Sequence, residues 1–110
     1  MQKWIAFLSL ILAQSTQAAM FECQSFLNLD NTASRIVETK MDEKISAVRS
    51  DEAAAYLTEK SGDRYILEVF IPESEMRIYA EGSVVQKEQT LTASAWTRAY
   101  IIDVTCRKMN

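Results

Sequence analysis

Ala99-Tyr100-Ile101-Ile102-Asp103-Val104-Thr105-Cys106-Arg107 is the stretch that decides the fold class. Side chains of a strand alternate between its two faces. Here Tyr100, Ile102, Val104 and Cys106 fall on one face. Near the other end of the chain, Phe21, Cys23, Leu27 and Leu29 share one parity, and Glu22, Gln24 and Asn28 take the other. Both cysteines lie on the apolar parity of their strands. A disulfide needs Cβ atoms about 4 Å apart, so these two strands are expected side by side or facing each other across a core. A first strand paired with a last strand closes a sheet and removes two edges. The expected fold is all-β, a small antiparallel sandwich or barrel.

The chain between these strands agrees over most of its length. Arg64-Tyr65-Ile66-Leu67-Glu68-Val69-Phe70-Ile71 is rich in β-branched and aromatic residues, with Ser61-Gly62-Asp63 before it and Pro72-Glu73-Ser74 after. Tyr56-Leu57-Thr58-Glu59-Lys60 precedes that glycine, which predicts a hairpin. Glu75–Ala80 alternates up to Gly82-Ser83, and Thr90–Trp96 alternates almost throughout. Residues 34–57 read two ways. Val37, Met41, Ile45 and Val48 recur at helical spacing, and Ser50-Asp51-Glu52 resembles a helix N-cap. Val37, Thr39, Met41, Ile45 and Ala47 also fit alternation. Strands are preferred here; one helix would make the fold α+β. The chain holds only two glycines and one proline, so turns must be built on Asp30-Asn31, Ser50-Asp51 and Gln86-Lys87-Glu88.

Residues 1–18 read as a signal peptide. Lys3 is followed by the apolar run Trp4–Ala13 and then by the small and polar Gln14–Ala19. Cleavage is expected after Ala18, with Ala19 the near alternative. The apolar run is about half the length a spanning helix requires, and no second one follows, so no stable membrane anchor is expected. Cys23 follows Met20-Phe21-Glu22 rather than the small residues of a lipidation site. The expected product is a single β-rich domain, residues 19–110, periplasmic or secreted.

A domain of this size buries about 60–65% of its unfolded surface and is marginally stable without a covalent tie. In an oxidising compartment Cys23 and Cys106 are read as a disulfide. Without Lys3 the chain keeps 15 acidic and 11 basic residues, a net charge of −4. That average weighs against nucleic acid and anionic lipid as partners.

The chain has no histidine, which excludes His-based triads, Cys–His dyads and histidine metal ligands. Oxidised cysteines leave no thiolate for catalysis or zinc. With two glycines there is no phosphate-cradling loop, and no calcium-loop pattern surrounds Asp30-Asn31. The close carboxylate pairs Asp42-Glu43, Asp51-Glu52 and Glu73/Glu75 fall in expected turns, where acids are ordinarily solvated. No catalytic residue, metal ligand or cofactor is assigned.

The remaining functional signal is polar-aromatic. If Met76, Ile78 and Ala80 face the core, Arg77, Tyr79 and Glu81 face out; if Leu91, Ala93 and Ala95 face in, Trp96 faces out, with Arg98 at the next strand junction. On neighbouring strands Arg77, Tyr79, Trp96 and Arg98 would form one exposed patch suited to a protein or a glycan. The competing reading makes Trp96 and Tyr79 covers for the end of a small core.

The succession YILEVFIPESEMRIYAEGS (65–83) and LTASAWTRAYIIDVTC (91–106), with FECQ (21–24), resembles small exported proteins of uncharacterised function in predatory Gram-negative bacteria. Phe70, Arg77, Tyr79, Gly82, Trp96, Arg98 and Cys106 carry the likeness, which implies a location and no site residue. Together these readings point to a non-enzymatic binding or structural module. A rigid inhibitor of a protease or lysozyme presenting Pro72-Glu73-Ser74-Glu75 is the alternative, and a carboxylate enzyme would require two acids converging in a cleft.

Overall fold

The computed structural model describes residues 18–110. The expected signal peptide therefore lies almost wholly outside the described residues. Eight strands follow in order: β1 (Met20–Leu27), β2 (Asp30–Glu38), β3 (Lys44–Arg49), β4 (Ala54–Ser61), β5 (Arg64–Ile71), β6 (Met76–Ser83), β7 (Thr90–Trp96) and β8 (Ile101–Lys108). They form two four-stranded antiparallel sheets, β2-β1-β8-β7 and β3-β4-β5-β6, packed as a sandwich.

The connectivity explains why the sequence fits both a sandwich and a barrel. Each strand leads to its spatial neighbour, and β8 pairs back onto β1. The chain therefore traces a closed ring of eight strands. Hydrogen bonding lapses at two seams, between β2 and β3 and between β6 and β7, where the chain crosses from one sheet to the other. At the second seam Gly82 makes room for Leu91, whose Cδ1 would stand 3.3 Å from a Cβ at position 82. The seams flatten the ring into two layers, and apolar residues fill the space between. Phe21, Cys23, Val104 and Cys106 come from one sheet; Ala55, Leu57, Leu67, Val69 and Ile71 come from the other. Phe21 packs edge-on against Tyr65, ring centroids 4.9 Å apart.

Cys23 and Cys106 are register partners on adjacent strands and are disulfide-bonded, with Cα atoms 4.0 Å apart. The bond fastens the ring where its first and last strands meet.

Residues 34–57 contain no helix, so the α+β alternative falls away. The mixed periodicity has a physical cause. Ala47 is an extra residue in β3: Ser46 opposes Tyr56 and Val48 already opposes Ala55. This bulge turns both Ala47 and Val48 inward, so the apolar spacing slips from two towards the helical value. The Ser50-Asp51-Glu52 stretch is the β3–β4 turn rather than a helix start; Ser50 N–H donates to Ala53 C=O at 2.9 Å.

The first hairpin also departs from expectation. Its turn is Asn28-Leu29 rather than Asp30-Asn31, which open β2. Both turn residues have positive φ, 51° and 73°, the geometry that matches the twist of two antiparallel strands. Leu29 accordingly points to solvent, 80% exposed. Ser25 takes the inward place instead, its hydroxyl bonded at 2.9 Å to Thr32, the extra residue of a bulge in β2. The shortage of glycine is met the same way elsewhere. Asp42, Glu75 and Glu88 also adopt positive φ, and Gly62 (φ 58°) turns the β4–β5 hairpin.

Candidate functional site: a cationic sheet face

The outward side chains of β3-β4-β5-β6 fall in register rows, because cross-strand partners point to the same face. One row is Arg49, Ala54, Phe70 and Arg77; the next is Ser46, Tyr56, Glu68 and Tyr79; the third is Lys44, Thr58, Ile66 and Glu81. Arg64 and Ser83 continue the face, and Lys60 lines it beside Thr58 and Tyr79.

Glu68 occupies the centre. It lies on an inner strand of an outward-facing surface, yet it is only 3% exposed. Its two oxygens are used separately. Lys44 Nζ, from edge strand β3, is 2.9 Å from Oε1, and Arg77 Nη1, from edge strand β6, donates to Oε2 at 2.7 Å. The Arg77 guanidinium also lies over the Phe70 ring, 4.5 Å from its centroid, a cation–π contact. Hydrogen bonding from Lys44 is the largest influence holding the Glu68 carboxyl below the ordinary glutamate value; burial opposes it, and the Lys44 and Arg77 charges reinforce it. The carboxylate thus stays ionised and fixes two cations across the width of the sheet. Beside it Tyr79 stands 60% exposed.

The face is unlike the rest of the molecule in charge. Lys44, Arg49, Lys60, Arg64 and Arg77 lie on it, against Asp42, Glu68 and Glu81. Arg64 is held by Glu81 at 2.7 Å. Among the described residues Arg49 and Lys60 take part in no ion pair and are exposed. A chain whose acids outnumber its bases therefore gathers five cations and three carboxylates on one side.

The four residues of the expected patch divide between the two layers. Arg77 and Tyr79 project from β6 on the cationic face. Trp96 projects from β7, on the outer face of the other sheet, and is 77% exposed. Exposure at that level also removes the reading of Trp96 as a cover for the core. Arg98 lies in the β7–β8 turn, lining a shallow concavity with Glu73, Ser74, Thr97, Ala99 and Tyr100. There the Tyr100 hydroxyl donates to Glu73 Oε2 at 3.2 Å. Parity alone gave the outward direction of each residue; the position of the seam between β6 and β7 separates them.

No family model, curated protein or solved structure matches this chain.

Lys44, Arg49, Tyr56, Lys60, Arg64, Glu68 and Phe70 are members of the face that sequence reasoning missed. The signal that could have found them is the outward parity of the inner strands. Ile66, Glu68 and Phe70 alternate there, a carboxylate between two apolar residues where a solvated face would be polar. Among the described residues no cluster of three or more Cys, Asp or Glu side chains is placed to hold a metal, and no helix is long and apolar enough to cross a membrane.

Proposed function

We propose that this protein is an exported, non-enzymatic binding module whose contact surface is the outer face of β3-β4-β5-β6. The observation that carries the reading is the Lys44–Glu68–Arg77 triad. A nearly buried carboxylate holds two cations in fixed positions on an otherwise open sheet, beside the exposed Tyr79 ring. Cations immobilised before contact lose little side-chain freedom on binding, which is the advantage of a prepared surface. The disulfide is compatible with an oxidising compartment, and the N-terminal sequence supports export into one.

The test is capture from envelope extract by the oxidised protein with photo-cross-linking, compared across three variants. Tyr79→Ala and the pair Arg49→Gln/Lys60→Gln are expected to lose the captured component. Trp96→Ala, on the opposite sheet, is expected to keep it. Capture that follows Trp96 and ignores Tyr79 would overturn the assignment of the face.

A second reading is inhibition of a protease or lysozyme by the Pro72–Glu75 connection. The observation favouring it is the tether from Tyr100 to Glu73, together with the Pro72–Ser74 single turn that ends in Glu75 at φ 51°. A rigid loop of this kind suits a hydrolase cleft. Absence of inhibition across a panel of both enzyme classes would remove it.

A further inference from the structure

We infer that the partner of the cationic face is an acidic polysaccharide, a glycan carrying carboxylate, sulfate or phosphate groups at intervals along the chain; this rests on the reading of that face as the contact surface. Three features of the face select this chemistry.

The first is charge complementarity. Arg49 and Lys60 are cations without a carboxylate partner among the described residues, placed at two well-separated positions of the sheet. Arg49 and Arg77 end the same register row on the two edge strands. At a strand spacing of about 4.8 Å they stand roughly 14 Å apart. Spaced cations match an anion whose charges are also spaced.

The second is the middle of the face. Protein–protein interfaces have centres depleted of charge and rich in apolar contact. Here the centre is an ionised carboxylate held by two cations and flanked by Tyr56 and Tyr79. Phenol rings offer a flat apolar surface for a sugar ring and a hydroxyl for its polar edge. Ser46, Thr58 and Ser83 add hydroxyls on the same face.

The third is what surrounds the face. Twelve of the 15 acidic residues lie off it, with only six bases other than Lys3 among them. Double-stranded DNA carries a charge about every 1.7 Å of its length, so a nucleic acid overrunning the rim meets strong repulsion. A polysaccharide with one charge per sugar or fewer does not require so uniformly basic a surface.

The experiment uses the oxidised full chain and two probes, immobilised chondroitin sulfate (sulfated, one charge per sugar) and polygalacturonate (carboxylated), with duplex DNA beside them. Retention on at least one polysaccharide at low salt is expected, with release as salt rises. Arg49→Gln/Lys60→Gln touches neither the triad nor the core. It is expected to weaken binding at least about tenfold and to flatten the dependence of log affinity on log salt by about one to two units. Tyr79→Ala is expected to weaken binding and leave the salt slope unchanged. Trp96→Ala is expected to do neither. No retention on either polysaccharide overturns the inference, as does retention indifferent to Arg49, Lys60 and Tyr79. Binding to DNA as tight as to the polysaccharides replaces the glycan with a nucleic acid. If the face-dependent capture from envelope extract persists while both polysaccharides fail, the glycan is wrong and the contact surface stands; if both fail, both fall.

Discussion

Glu68 and Arg77 meet diagonally across neighbouring strands, one register row apart, with one carboxylate oxygen accepting from Nη1 at 2.7 Å, and the carboxylate is far less exposed than the guanidinium. That inequality sets what each partner is worth. The Glu68 carboxyl titrates below its ordinary value of 4.5 in the folded chain. Its contribution to stability is therefore present above about that pH, and it is lost as pH falls through the lower, folded value. The urea midpoint of the native protein is expected to drop on acidification below 4.5, and that of Glu68→Gln to drop less. An unchanged pH profile in the variant would contradict the role given to the triad.

Removing the cations has a different consequence from removing the acid. Lys44 and Arg77 are half exposed or more and are rehydrated when Glu68 is replaced, so Glu68→Gln is expected to cost about 1 kcal/mol. Lys44→Met with Arg77→Met leaves an ionised carboxylate with little water and no partner. That pair is expected to cost about 3 kcal/mol at neutral pH, and acidification should partly relieve it. Equal costs for the two variants, by urea unfolding, would show that Glu68 is better hydrated than its surroundings indicate.

Leu29 occupies a backbone conformation that L side chains with a bulky Cβ disfavour, and its side chain gains little in return because it is exposed. Leu29→Gly is expected to raise stability by about 1 kcal/mol. The thermal midpoint checks this; a fall would mean that Leu29 makes a contact worth more than the backbone strain.

Trp96→Ala is expected to change stability by less than about 0.5 kcal/mol, since the ring touches little of the core. Marked destabilisation would return Trp96 to a structural role.

The disulfide closes a loop of 83 residues' separation, for which the chain-entropy account gives about 4–5 kcal/mol. Cys23→Ala/Cys106→Ala is expected to lose most of this and to keep strand content in circular dichroism under mild conditions. Mass analysis with alkylation, with and without reductant, checks the bond itself.

Strand identity was legible wherever alternation ran unbroken, as in Thr90–Trp96 and Ile101–Cys106, because one buried face forces a period of two. It blurred where the ladder takes an extra residue. Ala47 and Thr32 each break the period, and neither bulge has a residue that marks it. The Asn28-Leu29 turn was hidden for a related reason: leucine does not announce a left-handed backbone. At the site, parity gave the outward direction of Arg77, Tyr79 and Trp96 correctly. It could not give their distribution, since which neighbouring strands stay hydrogen-bonded and which split at a seam depends on packing across the whole ring. Glu68 is marked in the sequence only by its place between Ile66 and Phe70 on the outward parity of β5, where a single acid looks like any solvated carboxylate.

The Cys23–Cys106 bond also determines how the molecule bears load. Tension applied to the chain on the outer sides of the two cysteines travels through a covalent link between adjacent strands. Everything from β2 to β7 lies inside that link and feels none of the pull. A tethered copy dragged by flow or by a moving surface would yield only the short segments outside the cysteines, and the sheet carrying Glu68 and Tyr79 would hold its shape under force.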